Sequence, residues 1–364
     1  MINCRDCRSP YPSDQTPYRC IHCGGIYEFS RQPEFDLDLI EHGLPGIWRY
    51  RHTFYSAENS PVISLGEGNT PLVWAKAFEK EVAFKLEFLN PTGSFKDRGT
   101  APLISFLVSR GINDAVEDSS GNAGASFAAY AAYAGIKAKI FIPSYASGPK
   151  RIQIESYGAD VVSVAGSRAK TAEAVEAAAQ DGIVYASHAY LPQGILGYAT
   201  VAYELFEQLG KVPGTVISPT GQGSLLLGVA VGFNALKQAR LITHLPVLVG
   251  VQAAACAPLW VAFNQDKMEI TEPIFEGETL AEGVRTRNPL RGRSLLQLVH
   301  DTQGCFVSVA EDSIILGRDQ LGRRGLYVEP TSAIVWNGLE QVIGLVPEPI
   351  VVILTGSGLK SFKS

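Results

Sequence analysis

The chain has 364 residues, 46% of them hydrophobic and 18% charged, with a formal net charge of −5 at pH 7. That length is too great for one comfortable core and predicts two domains, with room for a small appendage. The charge is mild and no basic patch interleaves with aromatics, which excludes a nucleic-acid binder, and the longest apolar stretches, AGASFAAYAAYAGI and LLLGVAVGFNAL, are too short for a membrane span.

The opening MINCRDCRSP is polar and lacks the apolar centre of a secretory signal, so a soluble, cytoplasmic protein is expected. Cys4, Cys7, Cys20 and Cys23 form two C-x-x-C knuckles separated by twelve residues. Each knuckle turns two sulfurs toward one ion, and Gly24-Gly25 follows the second as a turn. The pattern predicts one structural Zn2+ held by four thiolates, in a ribbon over residues 1–30. A closed thiolate shell leaves no position for water or substrate. So short a segment buries no useful core, so metal binding would supply its folding energy. His22, inside the second knuckle, is expected to be exposed. The alternative, a pair of disulfides, suits a secreted chain better. Cys256 and Cys305 stand alone and read as small buried apolar residues.

Residues 31–56 read as an extended arm with a short helix. After the apolar run VAFKLEFL comes NPTGSFKDRG, Asn90 to Gly99, where turn formers lead into Lys96. A surface lysine needs no such setting. A nucleophilic lysine does, because its amine must be positioned and must spend time deprotonated.

From about residue 60 the pattern becomes regular. DAVEDSS ends a strand and enters a turn; NAGASFAAYAAYA is a helix stopped by Gly135. IKAKIFIP is a strand, PKRIQIESYG a helix, ADVVSVAG a strand, RAKTAEAVEAAAQDG a helix and IVYAS a strand. GTVISPT, LPVLVGVQ and EPIVVILTGSG are further strands, and GSLLLGVAVGFNALKQA is a helix. Such alternation predicts an α/β protein with parallel sheets built from βαβ units. In open parallel sheets ligands sit where strands end and loops enter helices. Three loops stand there. SSGNAG offers the Ser119 and Ser120 hydroxyls, a backbone opened by Gly121, and free N–H groups at a helix start, although a plain N-cap turn would look similar. GQGSLLLG, from Gly221, has the glycines and the Ser224 hydroxyl to suit a phosphate. It is neither a Walker A loop nor a dinucleotide fingerprint, since no Lys-Ser/Thr follows and Gly228 comes too late. TGSGLK offers Thr355 or Ser357 as a neutral hydroxyl, or is a simple C-terminal turn. A lysine able to form a Schiff base, a phosphate loop and a hydroxyl for a ring nitrogen together suit pyridoxal 5′-phosphate.

LGEGNTPL (Leu65 to Leu72), NPTGSFKDRG, SSGNAG, the Gly221 loop, YVEPTSA (Tyr327 to Ala333) and LTGSGLK occur in this order, and the chain thereby resembles the threonine synthase family of fold-type II pyridoxal-phosphate enzymes. The cysteine knuckles also resemble the N-terminal ribbon of many members. The resemblance implies a tryptophan synthase β-like architecture of two parallel-sheet domains. A large cofactor-binding domain would span 31–95 plus 196–364, and a small domain 96–195. It implies that Lys96 holds the cofactor and moves protons. Asn122 would bond the cofactor's phenolic oxygen; Gly221, Gln222, Gly223, Ser224 and Leu225 would cradle its phosphate; and Thr355 would face its pyridine nitrogen. Ser119, Ser120 and Gly121 would clasp a substrate carboxylate. Arg98, Lys150 and Arg151, with Arg285 and Arg287 as weaker candidates, would meet a departing phosphate. The implied reaction takes a small amino-acid phosphate, O-phosphohomoserine, and water to threonine and phosphate, in a homodimer. One segment departs from the family. Where many members have Asn-Pro-x-Arg-x-Glu-Gly-Gln-Lys-Thr, this chain has AYLPQGILGYATVAYE, with Gln193, Ile195, Leu196 and Tyr198 replacing the charged pattern while Gly197 and Thr200 keep its shape. TGSGLK also carries Ser357 where His is commoner. A threonine or serine ammonia-lyase and a cysteate-synthase-like phosphoserine enzyme are therefore the alternatives. A non-catalytic module that binds a partner through the ribbon is disfavoured by Lys96.

Overall fold

The structure is a computed structural model and describes residues 2–54, 60–271 and 275–361. In chain order its elements are β1 (Ile2–Cys4), β2 (Tyr27–Phe29), β3 (Leu72–Ala77), β4 (Lys80–Lys85), α1 (Lys96–Ser109), β5 (Asp114–Glu117), α2 (Asn122–Ala134) and β6 (Lys137–Pro143). They continue with α3 (Pro149–Ser156), β7 (Asp160–Val164), α4 (Arg168–Gln180), β8 (Val184–Tyr185), α5 (Gln193–Leu209), β9 (Thr215–Pro219) and α6 (Ser224–Gln238). Last come β10 (Val247–Ala253), α7 (Pro258–Asn264), α8 (Gly292–Asp301), β11 (Cys305–Val309), α9 (Glu311–Gly322), α10 (Pro330–Val342) and β12 (Ile350–Ile353). The strands and helices anticipated between Asp114 and Gln238 are all present. The 31–56 arm, as far as it is described, holds two short 3-10 helices, Leu37–Leu39 and Gly46–Thr53.

The chain divides into two compact units. One comprises Lys96–Gly197 together with the chain up to Glu67; the other comprises Gly68–Phe95 and Tyr198–Ser361. In the first, β7-β6-β5-β8 form a wholly parallel sheet. Val116, Phe141, Val175 and Tyr185 are its buried apolar centre, so α4 closes one face of the sheet. Helix α2 stops where Gly135 adopts φ 74°, and its N–H returns to the Ala131 and Ala132 carbonyls, as a left-handed C-cap should.

Helix α1 begins at the candidate lysine and contains Pro102. A proline cannot donate to the carbonyl four residues back, here Arg98. Gly197 of α5 fills that place: a Cβ built on it would lie 1.8 Å from Arg98 O and 3.1 Å from Pro102 Cγ. The two helices therefore approach at their first turns, and no residue with a side chain fits at 197. At the other end of α1, the Arg110 guanidinium donates to the carbonyls of Pro12 at 3.1 Å and Gln15 at 3.2 Å, holding the ribbon segment.

In the second unit the strand order is β11-β10-β9-β12-β4-β3. All neighbours run parallel except β3, an antiparallel edge strand paired with β4 from Leu72↔Lys85 to Ala77↔Lys80. The run VAFKLEFL supplies β4, and Val82 and Phe84 enter a large core with Ile217, Val249, Val251 and Val352. Lys85 and Glu204 are both 0% exposed and form an ion pair at 2.7 Å. Lys85 Nζ also donates to Thr70 O at 2.7 Å and Gln208 Oε1 at 3.0 Å, and Glu204 Oε1 accepts from Asn69 N–H at 2.7 Å. The pair thus fixes the LGEGNTPL turn to α5. Removing one partner of such a pair leaves a buried charge and costs about 3–5 kcal/mol, whereas replacing both by apolar groups can be neutral. Glu204→Leu is expected to lower stability by that amount, and Lys85→Met/Glu204→Leu to recover most of the loss. Urea unfolding followed by tryptophan fluorescence measures both.

Candidate active site

In the first unit, Lys96 opens α1 and is half-buried. Desolvation lowers its amine from the ordinary 10.5 to about 8, with the nearby Glu117 carboxyl pulling weakly the other way. About a tenth of the molecules then carry a neutral amine at pH 7, against roughly three in ten thousand for an ordinary lysine. The SSGN loop leaves β5 at its carboxyl end. Ser119 Oγ accepts from Gly121 N–H at 3.2 Å, Ser120 is half-buried, and Asn122 is the first residue of α2. The N-cap of α2 is Gly121, which makes no side-chain cap hydrogen bond.

The candidate cations of this unit sit in different settings. Arg98 is wholly buried in α1, with Tyr130 within its electrostatic reach. Lys150 and Arg151 follow Pro149 in the first turn of α3; Lys150 is half-buried, and Arg151 donates to Glu155 Oε1 at 2.9 Å. In the other unit, Arg285 and Arg287 are exposed and both reach the Glu276 carboxylate, at 3.1 and 3.6 Å.

In the second unit, β9 runs into the Gly221 loop and α6. Gly223 has φ 77°, and a Cβ there would lie 2.1 Å from Leu295 Cδ1; one on Gly221 would lie 2.8 Å from Gly283 O. Ser224 and Leu225 are buried in the first turn of α6, which has no side-chain cap. Gln222 turns its side chain away, accepting from Leu290 N–H through Oε1 at 3.1 Å. The result is a bare backbone cradle at a helix N-terminus, the chemistry a phosphate needs.

Thr355 follows β12 and is 3% exposed. Its N–H donates to Ser332 Oγ at 2.9 Å, and its carbonyl accepts from Phe95 N–H at 3.0 Å. Gly93 O accepts from Ser357 N–H at 3.0 Å, and Lys360 Nζ donates to Thr92 O at 2.8 Å, so the NPTGSF and TGSGLK stretches are laced together. Thr355 Oγ1 itself has no hydrogen-bond partner among the described residues. A buried orphan hydroxyl costs about 1–3 kcal/mol, which a ligand's neutral nitrogen would offset.

The four ribbon cysteines are free thiols whose sulfurs all lie within 4.8 Å of one another, with Cys4–Cys23 and Cys7–Cys20 each at 3.5 Å. His22 is exposed. Sequence reasoning missed one feature of the first unit: His188 Nδ1 lies 2.5 Å from Glu117 Oε1. The only sequence trace was a pair of acids, Glu117-Asp118, ending an apolar strand. A groove of about 390 Å3 lined by Asp114, Lys137 and Asp160 lies at the opposite, amino ends of β5, β6 and β7, away from these loops.

A family model described as "Pyridoxal-phosphate dependent enzyme" matches residues 63–356. The chain belongs to this family. The threonine synthase of Methanocaldococcus jannaschii is 32% identical over 378 residues, covering 99% of this chain and 93% of that protein. That of Synechocystis sp. is 33% identical over 321 residues, covering 85% and 82%. Among solved structures, a threonine deaminase from T.th. superposes with a TM-score of 0.68 at 26% identity, over 81% of this chain and 94% of that one. Maize serine racemase gives 0.68 at 23% identity, over 79% and 88%, a likeness of fold.

The residues present fit the family's cofactor: a desolvated lysine, a glycine cradle for its phosphate and an orphan hydroxyl for its ring nitrogen. Gly223→Ala would place a side chain in left-handed backbone, at about 1–2 kcal/mol, and against Leu295. It is expected to weaken pyridoxal 5′-phosphate binding at least about tenfold, read by absorbance titration of the full chain.

Proposed function

We propose that this chain is a threonine synthase that converts O-phosphohomoserine and water to threonine and phosphate. The observation that carries the reading is the likeness to a threonine synthase across 99% of the chain at 32% identity. Pyridoxal 5′-phosphate, when bound, supplies the electron sink that lets a proton leave the carbon next to the substrate amine. Lys96 Nζ would hold the cofactor and, once the substrate amine has displaced it, take the α proton and redistribute protons as the γ-phosphate leaves and water adds at the β carbon. Ser119, Ser120 and Gly121, with the first N–H groups of α2, would clasp the substrate carboxylate. Asn122 would bond the cofactor's phenolic oxygen. Gly221 to Leu225 would seat its phosphate, and Thr355 would meet its ring nitrogen. A hydroxyl there does not force that nitrogen to stay protonated, which favours elimination and replacement over transamination.

Arg98, Lys150 and Arg151 are the cations proposed for the substrate's phosphate. The four cysteines would hold one structural Zn2+, supported by the close convergence of their sulfurs. The enzyme is proposed to act as a cytoplasmic homodimer. A lyase acting on threonine or serine is the second reading, favoured by the likeness to threonine deaminase and by the uncharged Gln193–Tyr198 stretch.

Assayed by kcat/KM on O-phosphohomoserine, phosphoserine, threonine and serine, the chain is expected to release phosphate and threonine in equal amounts from the first. A 2-oxo acid formed from threonine or serine at higher efficiency would sink the synthase reading. Lys96→Ala is expected to lower kcat by at least about a thousandfold with the circular dichroism spectrum unchanged. Elemental analysis is expected to find one zinc per chain, and Cys20→Ser to lose it while cofactor absorbance survives.

A further inference from the structure

Two acids stand at the carboxyl end of β5. Glu117 is its last residue, Asp118 follows, and both are buried. The neighbouring strand β8 pairs with β5 at Val116↔Tyr185, so the chain beyond β8 runs alongside these acids and brings in His188. The two acids have different partners. Asp118 accepts the Tyr185 hydroxyl at Oδ1, 2.6 Å away, and the Arg168 guanidinium at Oδ2. Glu117 Oε1 meets His188 Nδ1 at 2.5 Å, while its Oε2 has no partner among the described residues. The charged groups facing this pair are Lys96 from α1, Asp118 from the loop after β5, and Arg168 from α4.

Burial pushes the Glu117 carboxyl well above the usual range, with the Asp118 charge adding to it. Burial also pushes the His188 imidazole well below its usual range, with the Lys96 charge adding to that. Both shifts favour the neutral forms. The 2.5 Å contact between His188 Nδ1 and Glu117 Oε1 has room for one shared proton, and a pair holding one carries no net charge. This matters to Lys96, since a lone unit charge nearby moves a pKa by about one to three units. An ionised Glu117 would lock the lysine as an ammonium.

We propose that Glu117 and His188 act as a one-proton pair that sets the charge of Lys96, which makes them positioning residues for its chemistry. The inference rests on reading Lys96 as the reactive amine. It assigns His188 no contact with substrate. Glu117→Gln removes the only acid of the pair. His188→Asn keeps a donor where Nδ1 stood but cannot take the shared proton, so Glu117 is left to give it up to solvent as the pH rises and to ionise beside the lysine.

The test reads Lys96 without any cofactor. The full chain, stripped of cofactor, is acylated with trace acetic anhydride across a pH series, and the Lys96 peptide is quantified by mass spectrometry. Wild-type Lys96 is expected to titrate near about 8. Glu117→Gln, which leaves the pair as uncharged as before, is expected to keep that midpoint within about half a unit, and His188→Asn to raise it by at least about half a unit. A midpoint that His188→Asn leaves unmoved, or that both variants displace in the same direction as a disrupted fold would, overturns the proposal. If either single variant does not fold, Glu117→Gln/His188→Gln, neutral and close in shape, replaces it. Its Lys96 is expected to titrate as in wild type, and a displaced midpoint overturns the proposal. A chain that shows the His188→Asn shift alone yet binds no pyridoxal 5′-phosphate would refute the proposed function and leave the pair standing.

Discussion

A lysine amine attacks a carbonyl carbon only after it has shed a proton, and in water at neutral pH it almost never does so. For Lys96, the proposed reactive amine, desolvation works in that direction and brings it to about 8. That constraint dictates much else. The lysine opens α1, whose first turn is packed so closely on α5 that Gly197 meets the Arg98 carbonyl. Glu117, within electrostatic reach of it, is paired with His188 instead of standing alone.

The proposed anion seats at the starts of α2 and α6 are the second theme. The N-cap residues, Gly121 of α2 and Gly223 of α6, make no side-chain cap hydrogen bond, although serines lie beside both. A capping hydroxyl would contribute about 1 kcal/mol to either helix and would occupy the N–H groups that a carboxylate or phosphate needs. In the Gly221 loop, where Gln222 bonds Leu290 N–H, backbone would face the proposed phosphate. The folding energy forgone is recovered elsewhere, in the broad apolar core of the six-stranded sheet and in the lacing of NPTGSF to TGSGLK.

The alternating strands and helices were legible because their periods are clean and glycines punctuate them: Gly135 and Gly158 both adopt positive φ where helices stop. Helix α1 was not read as one, since Gly99 and Pro102 are poor helix formers and only packing on α5 overrides them. The edge hairpin of β3 and β4 hid behind a run that looks merely apolar. Lys96 and the glycine loops stood out because their residue types are odd for a surface. The Glu117–His188 pair did not, because 71 residues separate its members and neither carries a local motif. Contacts made by the register of neighbouring parallel strands leave no trace in spacing.

The fit of Gly197 against Arg98 O and Pro102 has a practical consequence for genetics. A methyl group at this position would drive two helices apart at the very end that carries the reactive lysine, without touching any reactant. If Lys96 is the reagent proposed above, such alleles would score in a growth-based screen as badly as its loss. Distinguishing them needs the amount of folded protein per cell, because one class would lack the reagent and the other the scaffold that aims it.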